Sequence, residues 1–205
     1  MKKSIEMIAI ACIGIAFLLA GSLPVFAQEK IVRAKIGILI KAGDQKMRAK
    51  ANDRLKVGDF VRIYVQPEES FYVYVVHTDG KRVWLLSSTE RQDPGAPFLL
   101  PGREEYYEID GESPVETFTI ICSPQELKEV SSLQNTEISY EKWSALEKEL
   151  AKKGEIDLGE KAEKPFPIAG NVRGAVDPND HFASDLLISS GKNVLVKQYE
   201  FSIKK

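Results

Sequence analysis

The side chains that most often carry out chemistry in proteins are scarce in this sequence of 205 residues. Its two histidines, His77 and His181, stand far apart among residues that predict turns. His77 closes an aromatic run just before Asp79-Gly80, a position typical of a solvent-exposed histidine at a strand end. No Gly-x-Ser-x-Gly elbow, phosphate-binding glycine loop or zinc-ligand spacing is present. We therefore expect no catalytic residue and no cofactor.

Oxygen and nitrogen donors gather most closely in Asp177-Pro178-Asn179-Asp180-His181. A calcium loop of the helix-loop-helix type needs glycine at its sixth position and glutamate at its twelfth, and Phe182 and Ile188 stand there instead. Clusters of Asp, Pro and Asn are also typical of turns. We predict a turn in this segment and no metal site.

Tyrosine is the residue type that most favours a binding role. Tyr72 and Tyr74 alternate on a predicted strand, and tyrosine suits a core and a wet interface equally, because its ring is apolar and its hydroxyl polar. Core packing is the default interpretation. The alternative is an exposed patch, beside the segment 87–102, that binds a glycan or a protein. Tyr72 and Tyr74 are its candidate binding residues.

The N-terminal segment predicts the compartment. Lys2 and Lys3 precede an uncharged run over residues 7–26, and small residues flank the boundary between Ala27 and Gln28. This pattern is typical of a secretory signal peptide over 1–27, removed in the mature protein. The alternative is an uncleaved inner-membrane anchor, since about 20 apolar residues span a bilayer.

Cysteine usage agrees with a core that needs no cross-link. Cys12 lies inside the predicted signal peptide, so only Cys122 remains and no intramolecular disulfide can form. Cys122 ends the apolar run 117–122, where a free cysteine packs as a small buried hydrophobic residue.

Charge argues against polyanionic partners. The chain has 28 basic and 30 acidic side chains, interspersed along its length without a basic block. Phosphate backbones are bound by clustered Lys and Arg, so we expect no nucleic-acid partner. Membrane association is expected only if the N-terminal segment is retained.

Most of the chain from residue 31 to 124 reads as short antiparallel strands, since β-branched and aromatic residues alternate between turn residues. The clearest feature is a hairpin over 71–86 with Asp79-Gly80 at the centre of a two-residue turn. That register places Val75 opposite Trp84 and gives the hairpin two apolar faces. A hairpin of this kind is covered on both faces, by a second sheet or by a helix.

The remaining segments complete the predicted organisation. Proline and glycine in residues 87–102 predict a long surface loop, and 106–109 with 115–122 predict two strands around an Asp110-Gly111 turn. Ser123 and Pro124 predict the start of one helix, and a second helix is predicted over 139–153. Residues 154–168 predict a flexible connection, and 194–203 a closing strand. We expect a mostly β (α+β) fold over 28–205: an antiparallel sandwich-like or partly open barrel core, with a helical insert over about 124–153.

The segment from Lys56 to about Pro124 resembles the bacterial family called domain of unknown function 4384. The shared features are Val57-Gly58-Asp59 before a strand, the run Tyr72-Val73-Tyr74-Val75, the Asp79-Gly80 turn, Leu85-Leu86 after Trp84, Pro101 before the next strand, and Glu116 before an apolar strand. The resemblance extends loosely to the closing strand. It implies a β-rich module found in exported or membrane-tethered proteins, with no established biochemical activity.

Together these observations predict a noncatalytic cell-envelope module, periplasmic or secreted, that binds another exported protein or a cell-wall polymer. The alternative is a small-ligand or glycan-binding domain that uses the tyrosine-bearing face. An enzyme is the third possibility, with the least support from the sequence.

Overall fold

A computed structural model of the chain describes residues 29–134, 138–155, 182 and 186–205. The predicted signal peptide, nearly all of the predicted connection over 154–168, and His181 with the donors before it lie outside these ranges. The described residues form eleven strands and two short-to-medium helices. The strands are β1 Ile31–Ala42, β2 Gln45–Arg48, β3 Asn52–Lys56, β4 Phe60–Pro67, β5 Phe71–Thr78, β6 Val83–Gln92, β7 Phe98–Leu100, β8 Tyr107–Glu108, β9 Val115–Ser123, β10 Leu187–Lys192 and β11 Leu195–Lys204. The helices are α1 Lys128–Ser131 and α2 Tyr140–Gly154, with a 3-10 turn at Ser132–Gln134.

The described strands form two sheets. In the six-stranded sheet the order is β10-β1-β4-β7, with β2 also paired to β1 and β8 to β4. The five-stranded sheet has the order β3-β11-β9-β5-β6, and its β3–β11 pair is parallel. All other pairings are antiparallel. The predicted closing strand is confirmed, because β11 lies inside the five-stranded sheet between β9 and β3.

The two sheets face each other across the main core, which confirms the predicted mostly β, sandwich-like α+β fold. Alternate residues of β1, β4, β5, β9 and β11 point into this core, so its members come from both sheets. Examples are Ile36, Ile63, Val75, Ile120 and Phe201, each at most 2% exposed. The described strands do not close into a barrel.

Helices cover the outer face of the five-stranded sheet. Trp143 and Leu150 of α2 and Val130 of α1 pack on Tyr74 and Ile121 in a second core cluster. Ser139 caps α2, with its hydroxyl accepting a hydrogen bond from the Lys142 N–H. The helix predicted over 139–153 is therefore confirmed, and its first residue, Tyr140, is exposed. The outer face of the six-stranded sheet carries a third cluster around Leu39, Tyr64, Leu186 and Phe182.

The predicted hairpin exists, but its register is wrong by two residues. Thr78 pairs with Val83 and His77 with Trp84, so the connecting loop has four residues, Asp79 to Arg82. The Asp79 carboxylate accepts hydrogen bonds from the N–H groups of Lys81 and Arg82, at 2.8 and 2.6 Å, and stabilises the longer loop. A shift of two residues keeps every side chain on its predicted face. One face joins the main core and the other the helical cluster, as predicted.

The long loop predicted over 87–102 is also wrong. Strand β6 continues to Gln92, and β7 occupies Phe98–Leu100, so only residues 93–97 and 101–102 lie outside the strands. The pairing of β5 with β6 contains a β-bulge, because Val76 pairs with Leu85 and Val75 pairs with Ser87, which leaves Leu86 as the extra residue of β6. Beyond this bulge β6 continues to pair with β5. Serine and threonine at this edge strand therefore form strand, not loop.

The predicted strand pair around Asp110-Gly111 and the predicted start of the first helix are also wrong. The strands around Asp110-Gly111 do not pair with each other, since β8 joins β4 while β9 joins the opposite sheet. The turn between them is thus a crossover between sheets. The first helix begins at Lys128 and not near Ser123, because Ser123 still belongs to β9 and its hydroxyl accepts a hydrogen bond from the Gln125 N–H at 3.3 Å.

Candidate functional site

A pocket of about 120 Å³ opens at one end of the sandwich, beside the β5–β6 loop. Both sheets line it. The five-stranded sheet contributes two residues of the hairpin and two of β9, and the six-stranded sheet contributes β8 with the two residues after it. The lining residues are His77, Leu86, Glu116 and Phe118 from the first group, and Tyr107, Glu108, Ile109 and Asp110 from the second.

His77 and Glu116 form the polar centre of this pocket. His77 Nε2 lies within hydrogen-bonding distance of Glu116 Oε2, and the two side chains are 20% and 9% exposed. They meet because His77 pairs with Phe118 in the β5–β9 register, and Glu116 lies two residues before Phe118 on the same face. The histidine predicted to be solvated at a strand end is therefore mostly buried and bonded to a carboxylate. It faces Trp84, and not Arg82 as the predicted register required.

Rings on neighbouring strands hold His77 in place. Its imidazole stacks on Trp84 at 5.1 Å between ring centroids and on Phe118 at 4.8 Å. Phe118 in turn contacts Phe201 at 6.0 Å, and the Arg82 guanidinium lies 4.7 Å from the Trp84 ring. The imidazole is thus one layer of a ladder that crosses four strands, which fixes its orientation toward Glu116.

The pocket rim is held by turns. The N–H of Gly58 donates to the carbonyl of Ile109 at 2.8 Å, and the N–H of Ile109 donates to the carbonyl of Asp59 at 2.9 Å. Gly111 adopts a φ of 76°, a conformation that favours glycine, and an added Cβ there would meet the side chain of Val57. These contacts fix the Asp110 turn against the six-stranded sheet.

The β5–β6 loop is tied to the start of β9. The Ser113 hydroxyl lies 3.0 Å from the carbonyl oxygen of Asp79 and 2.8 Å from that of Val115. Burial alone would raise the pKa of Asp79, but the hydrogen bonds from Arg82 and Lys81 outweigh it and hold the pKa below its usual value. Arg82 bonds Asp79 and also lies 3.6 Å from Glu112. The Arg82 side chain of this loop is therefore engaged in ion pairs.

The lining of the pocket is acidic. Its lining residues include Glu108, Asp110 and Glu116 and no Lys or Arg. Glu108 and Asp110 are exposed, whereas Glu116 is buried against His77. Burial, with the negative charge of Glu105, raises the pKa of Tyr107, so its hydroxyl stays protonated and able to donate at neutral pH. Within the described ranges, no three His, Cys, Asp or Glu side chains are grouped closely enough to hold a metal ion.

The predicted binding residues lie on the opposite face of the five-stranded sheet. Tyr74 is 1% exposed beneath the helices, and its hydroxyl accepts a hydrogen bond from the Leu127 N–H at 2.9 Å. Tyr72 is half-buried against the same cluster. A ligand would reach Tyr74 only after the helical layer moved. The binding role of Tyr72 and Tyr74 stays a prediction, and neither residue lines the pocket.

Cys122 is fully buried in the main core and unpaired. Burial raises the pKa of its thiol to about 12, so the thiolate is absent at neutral pH.

Sequence reasoning missed the pocket, although one signal was present. Glu116 alternates with Phe118, Ile120 and Cys122, which all point into the main core. A carboxylate at an inward position of a buried strand needs a partner, and that requirement could have directed attention to one of the two histidines.

Comparisons of this chain with models of protein families, with curated proteins and with solved structures find no match. Among the residues that the structure describes, no helix is both long enough and apolar enough to cross a bilayer.

Proposed function

We propose that this chain is a noncatalytic module of the cell envelope that binds another exported protein or a cell-wall polymer through the pocket at the end of its sandwich. The observation that carries the proposal is the meeting of His77, Tyr107 and Glu116 from opposing sheets around one opening. Polar groups at the edge of an apolar core lower stability unless they are satisfied, so their placement at an opening favours recognition.

Export is part of the same proposal. The pattern of residues 1–27 supports a secretory signal, and a core that contains no disulfide, with Cys122 buried, suits an oxidising compartment without dependence on it. The resemblance to domain of unknown function 4384, over residues 56–124, supports the same location. Retention of the N-terminal segment as an inner-membrane anchor is the alternative outcome.

The contacts around the pocket support a binding site that is already formed before a partner arrives. The ring ladder through His77, the hydrogen bonds of Asp79 and Ser113, and the Gly58–Ile109 contact all hold the rim before any partner arrives. A preformed site loses little conformational entropy on binding. We therefore expect recognition without a large rearrangement of the sheets.

Photo-crosslinking in living cells tests the proposal. A photoreactive phenylalanine analogue is placed at Asp110 on the pocket rim, and in a second strain at Glu126, an exposed residue beyond the opposite end of β9. We expect the rim variant to capture one dominant neighbour that the Glu126 variant does not. Equal capture from both positions, or capture only from the Glu126 position, would contradict the proposal.

A further inference from the structure

The outer face of the six-stranded sheet has a one-sided distribution of charge. Four of the strands, β1, β2, β4 and β10, contain basic residues and no Asp or Glu. Among the six strands of this sheet, Glu108 of β8 is the only acidic residue. The basic residues, together called the basic face, are Arg33, Lys35, Lys41, Lys46, Arg48, Arg62 and Lys192.

Strand pairing places the whole set on one side. The even-numbered residues 32–40 of β1 lie in the main core, so Arg33, Lys35 and Lys41 point outward. Residues directly opposite each other in a sheet share a face. The relevant pairs are Lys46 with Lys41, Arg48 and Arg62 with Leu39, and Lys192 with Ile31. Charges that are interspersed along the sequence are therefore sorted by the fold.

Much of this positive charge has no counter-charge. Glu68 and Glu29, which precede or follow the strands, lie 4.0 Å from Arg33 and 2.6 Å from Lys192. The other basic residues for which the described part of the chain offers no ion pair are Lys35, Lys41, Lys46 and Arg62. The basic face therefore has an excess of positive charge.

The β1–β2 hairpin gives a separate sign that an anion belongs on this face. Lys41 and Lys46 are directly opposite each other, and like charges in that position lower the stability of a sheet. The Lys41 ammonium lies 5.8 Å from the centre of the Phe60 ring and 5.5 Å from that of Tyr106, which offsets part of the repulsion. An anion bound at the basic face would relieve the rest.

The spread of the charges indicates an extended partner. A strand rises about 3.3 Å per residue, so Arg33 and Lys41 are roughly 26 Å apart along β1. Cations at this separation cannot converge on one small anion. An anionic surface or polymer can contact them together.

Exposed apolar side chains at the same edge favour a lipid surface over a soluble polymer. Ile188 is 57% exposed and pairs with Lys35 on the outer face, and Ile31 is 41% exposed opposite Lys192. Leu187 and Met47, on β10 and β2, are also exposed. A hydrated polyanion offers these side chains no apolar environment, whereas the headgroup region of a bilayer accepts both cations and aliphatic groups.

We propose that the basic face docks on the surface of an anionic phospholipid bilayer. Its lysines and arginines contact lipid phosphates, and Ile31 and Ile188 enter the headgroup region. This peripheral contact goes beyond the proposed function and uses a different surface from the pocket. It does not require the segment 1–27 to be retained.

Lysine acylation of the full chain, measured by mass spectrometry, tests the proposal. The vesicles contain phosphatidylcholine with about 30% phosphatidylglycerol, and pure phosphatidylcholine is the matched control. We expect the anionic vesicles to slow acylation of Lys35, Lys41 and Lys46 at least about threefold, and to leave Lys148 and Lys152, exposed on α2, unchanged. Equal acylation with both kinds of vesicle, or equal protection of all five lysines, would overturn the proposal.

This readout does not depend on the state of residues 1–27. An apolar segment that enters the bilayer would enter both kinds of vesicle, so the difference between them reports on charge. The identity of the protected lysines reports on the face.

A charge substitution provides the second arm. Lys46→Gln removes one exposed charge and also the repulsion with Lys41, so we expect the variant to fold. The vesicle concentration that gives half-protection of Lys35 and Lys41 should rise about fivefold. Lys148→Gln changes the net charge equally and should have no effect. Equal effects of the two substitutions would contradict docking by the basic face.

An apolar substitution tests the assignment to lipid. We expect Ile188→Thr to raise the half-protection concentration roughly threefold, and Val57→Thr, at an exposed aliphatic residue outside the basic face, to leave it unchanged. Soluble polyglutamate at the same concentration of negative charge should protect less than the vesicles. Equal protection by polyglutamate, or wild-type binding of Ile188→Thr, would overturn the assignment to lipid in favour of a soluble polyanion.

Discussion

At the scale of single residues, the His77–Glu116 pair is the most informative feature of this molecule. It occupies the end of a core whose other inward positions are almost all apolar. A buried polar pair contributes little net stability compared with apolar side chains of similar volume, whereas removal of one partner leaves the other unsatisfied. This balance supports the proposal that the pair serves recognition.

This explanation predicts the outcome of apolar replacement. We expect Glu116→Leu alone to destabilise the fold by roughly 1–3 kcal/mol, because His77 loses its partner. We expect the double variant His77→Phe/Glu116→Leu to regain stability to within about 1 kcal/mol of wild type, while losing capture of the neighbour. Denaturant unfolding and crosslinking measure the two effects. Full crosslinking in a stable double variant would show that the pair has no role in binding.

A second residue-scale prediction concerns Cys122. Because burial raises the pKa of its thiol to about 12, the folded protein should not react with a thiol reagent at pH 8, and should react fully in denaturant. The pH dependence of stability follows from the same shift, since the pKa of the Cys122 thiol in the folded protein lies above the unfolded value of about 8.5. The contribution of this group is fully present below about pH 8.5 and is lost as pH rises toward 12. Rapid labelling of the native protein at pH 8 would contradict the burial.

At the scale of elements, α2 is attached to the five-stranded sheet by both polar and apolar contacts. Thr119 on β9 donates its hydroxyl hydrogen to Glu147 on α2, and Gln198 on β11 lies 3.4 Å from the same carboxylate. Burial raises the pKa of Glu147, and the Thr119 hydrogen bond opposes this rise only in part. The helix therefore docks with a carboxyl group that is more easily protonated than usual.

Stability should depend on pH through Glu147. Its folded pKa lies above the unfolded one, so its contribution is fully present below about pH 4.3 and is lost as pH rises through the folded pKa. Glu147→Gln resembles the protonated form, and we expect it to raise the melting temperature at pH 7 by roughly 1–3 °C and to have little effect near pH 4.

The control lies on the same helix. Glu149 pairs with Lys153 at 2.7 Å, and the hydrogen bond from Lys153 lowers the pKa of Glu149. Glu149→Gln should therefore give no stabilisation at pH 7. A Glu147→Gln variant that melts at a lower temperature than wild type at pH 7 would contradict this account of helix docking.

The two tryptophans lie in different parts of the molecule: Trp143 in the helical layer, and Trp84 in the row of stacked rings that holds His77. Trp143 of α2 is fully buried, and its indole N–H makes no hydrogen bond to the described residues, so its contribution comes from packing. Trp84 is only half-buried, between Arg82 and His77. We expect Trp143→Ala to destabilise by about 3–5 kcal/mol and Trp84→Ala by roughly 1–2 kcal/mol. Denaturant unfolding measures both, and the reverse order would contradict the observed register.

At the scale of the whole molecule, the sequence predicts which faces are apolar better than it predicts which strands pair. Alternation over residues 71–86 identifies both packed faces of the hairpin, because every second side chain of a strand lies on the same face whichever residue it pairs with. Register depends instead on loop chemistry, and the Asp79 side chain extends the loop by two residues. The β6 edge was missed because Ser87 and Ser88 resemble loop residues while tertiary pairing makes them strand.

The candidate site was less predictable than the fold. Its lining residues come from three separate stretches of sequence, and His77 meets Glu116 across 39 positions. Such a meeting depends on the β5–β9 register and on the crossover after Asp110, which local patterns do not encode. The tyrosines of the predicted strand instead gave Tyr72 and Tyr74 as candidate binding residues, and both lie on the face that the helices cover.

The most direct test of the central claim is amide hydrogen exchange of the purified chain, with and without the neighbour captured in cells. The account predicts new protection confined to residues 107–118 and to the β5–β6 loop, with the helical layer unchanged. Protection confined to α2, or to β10 at the edge of the six-stranded sheet, would contradict a binding site at the end of the sandwich.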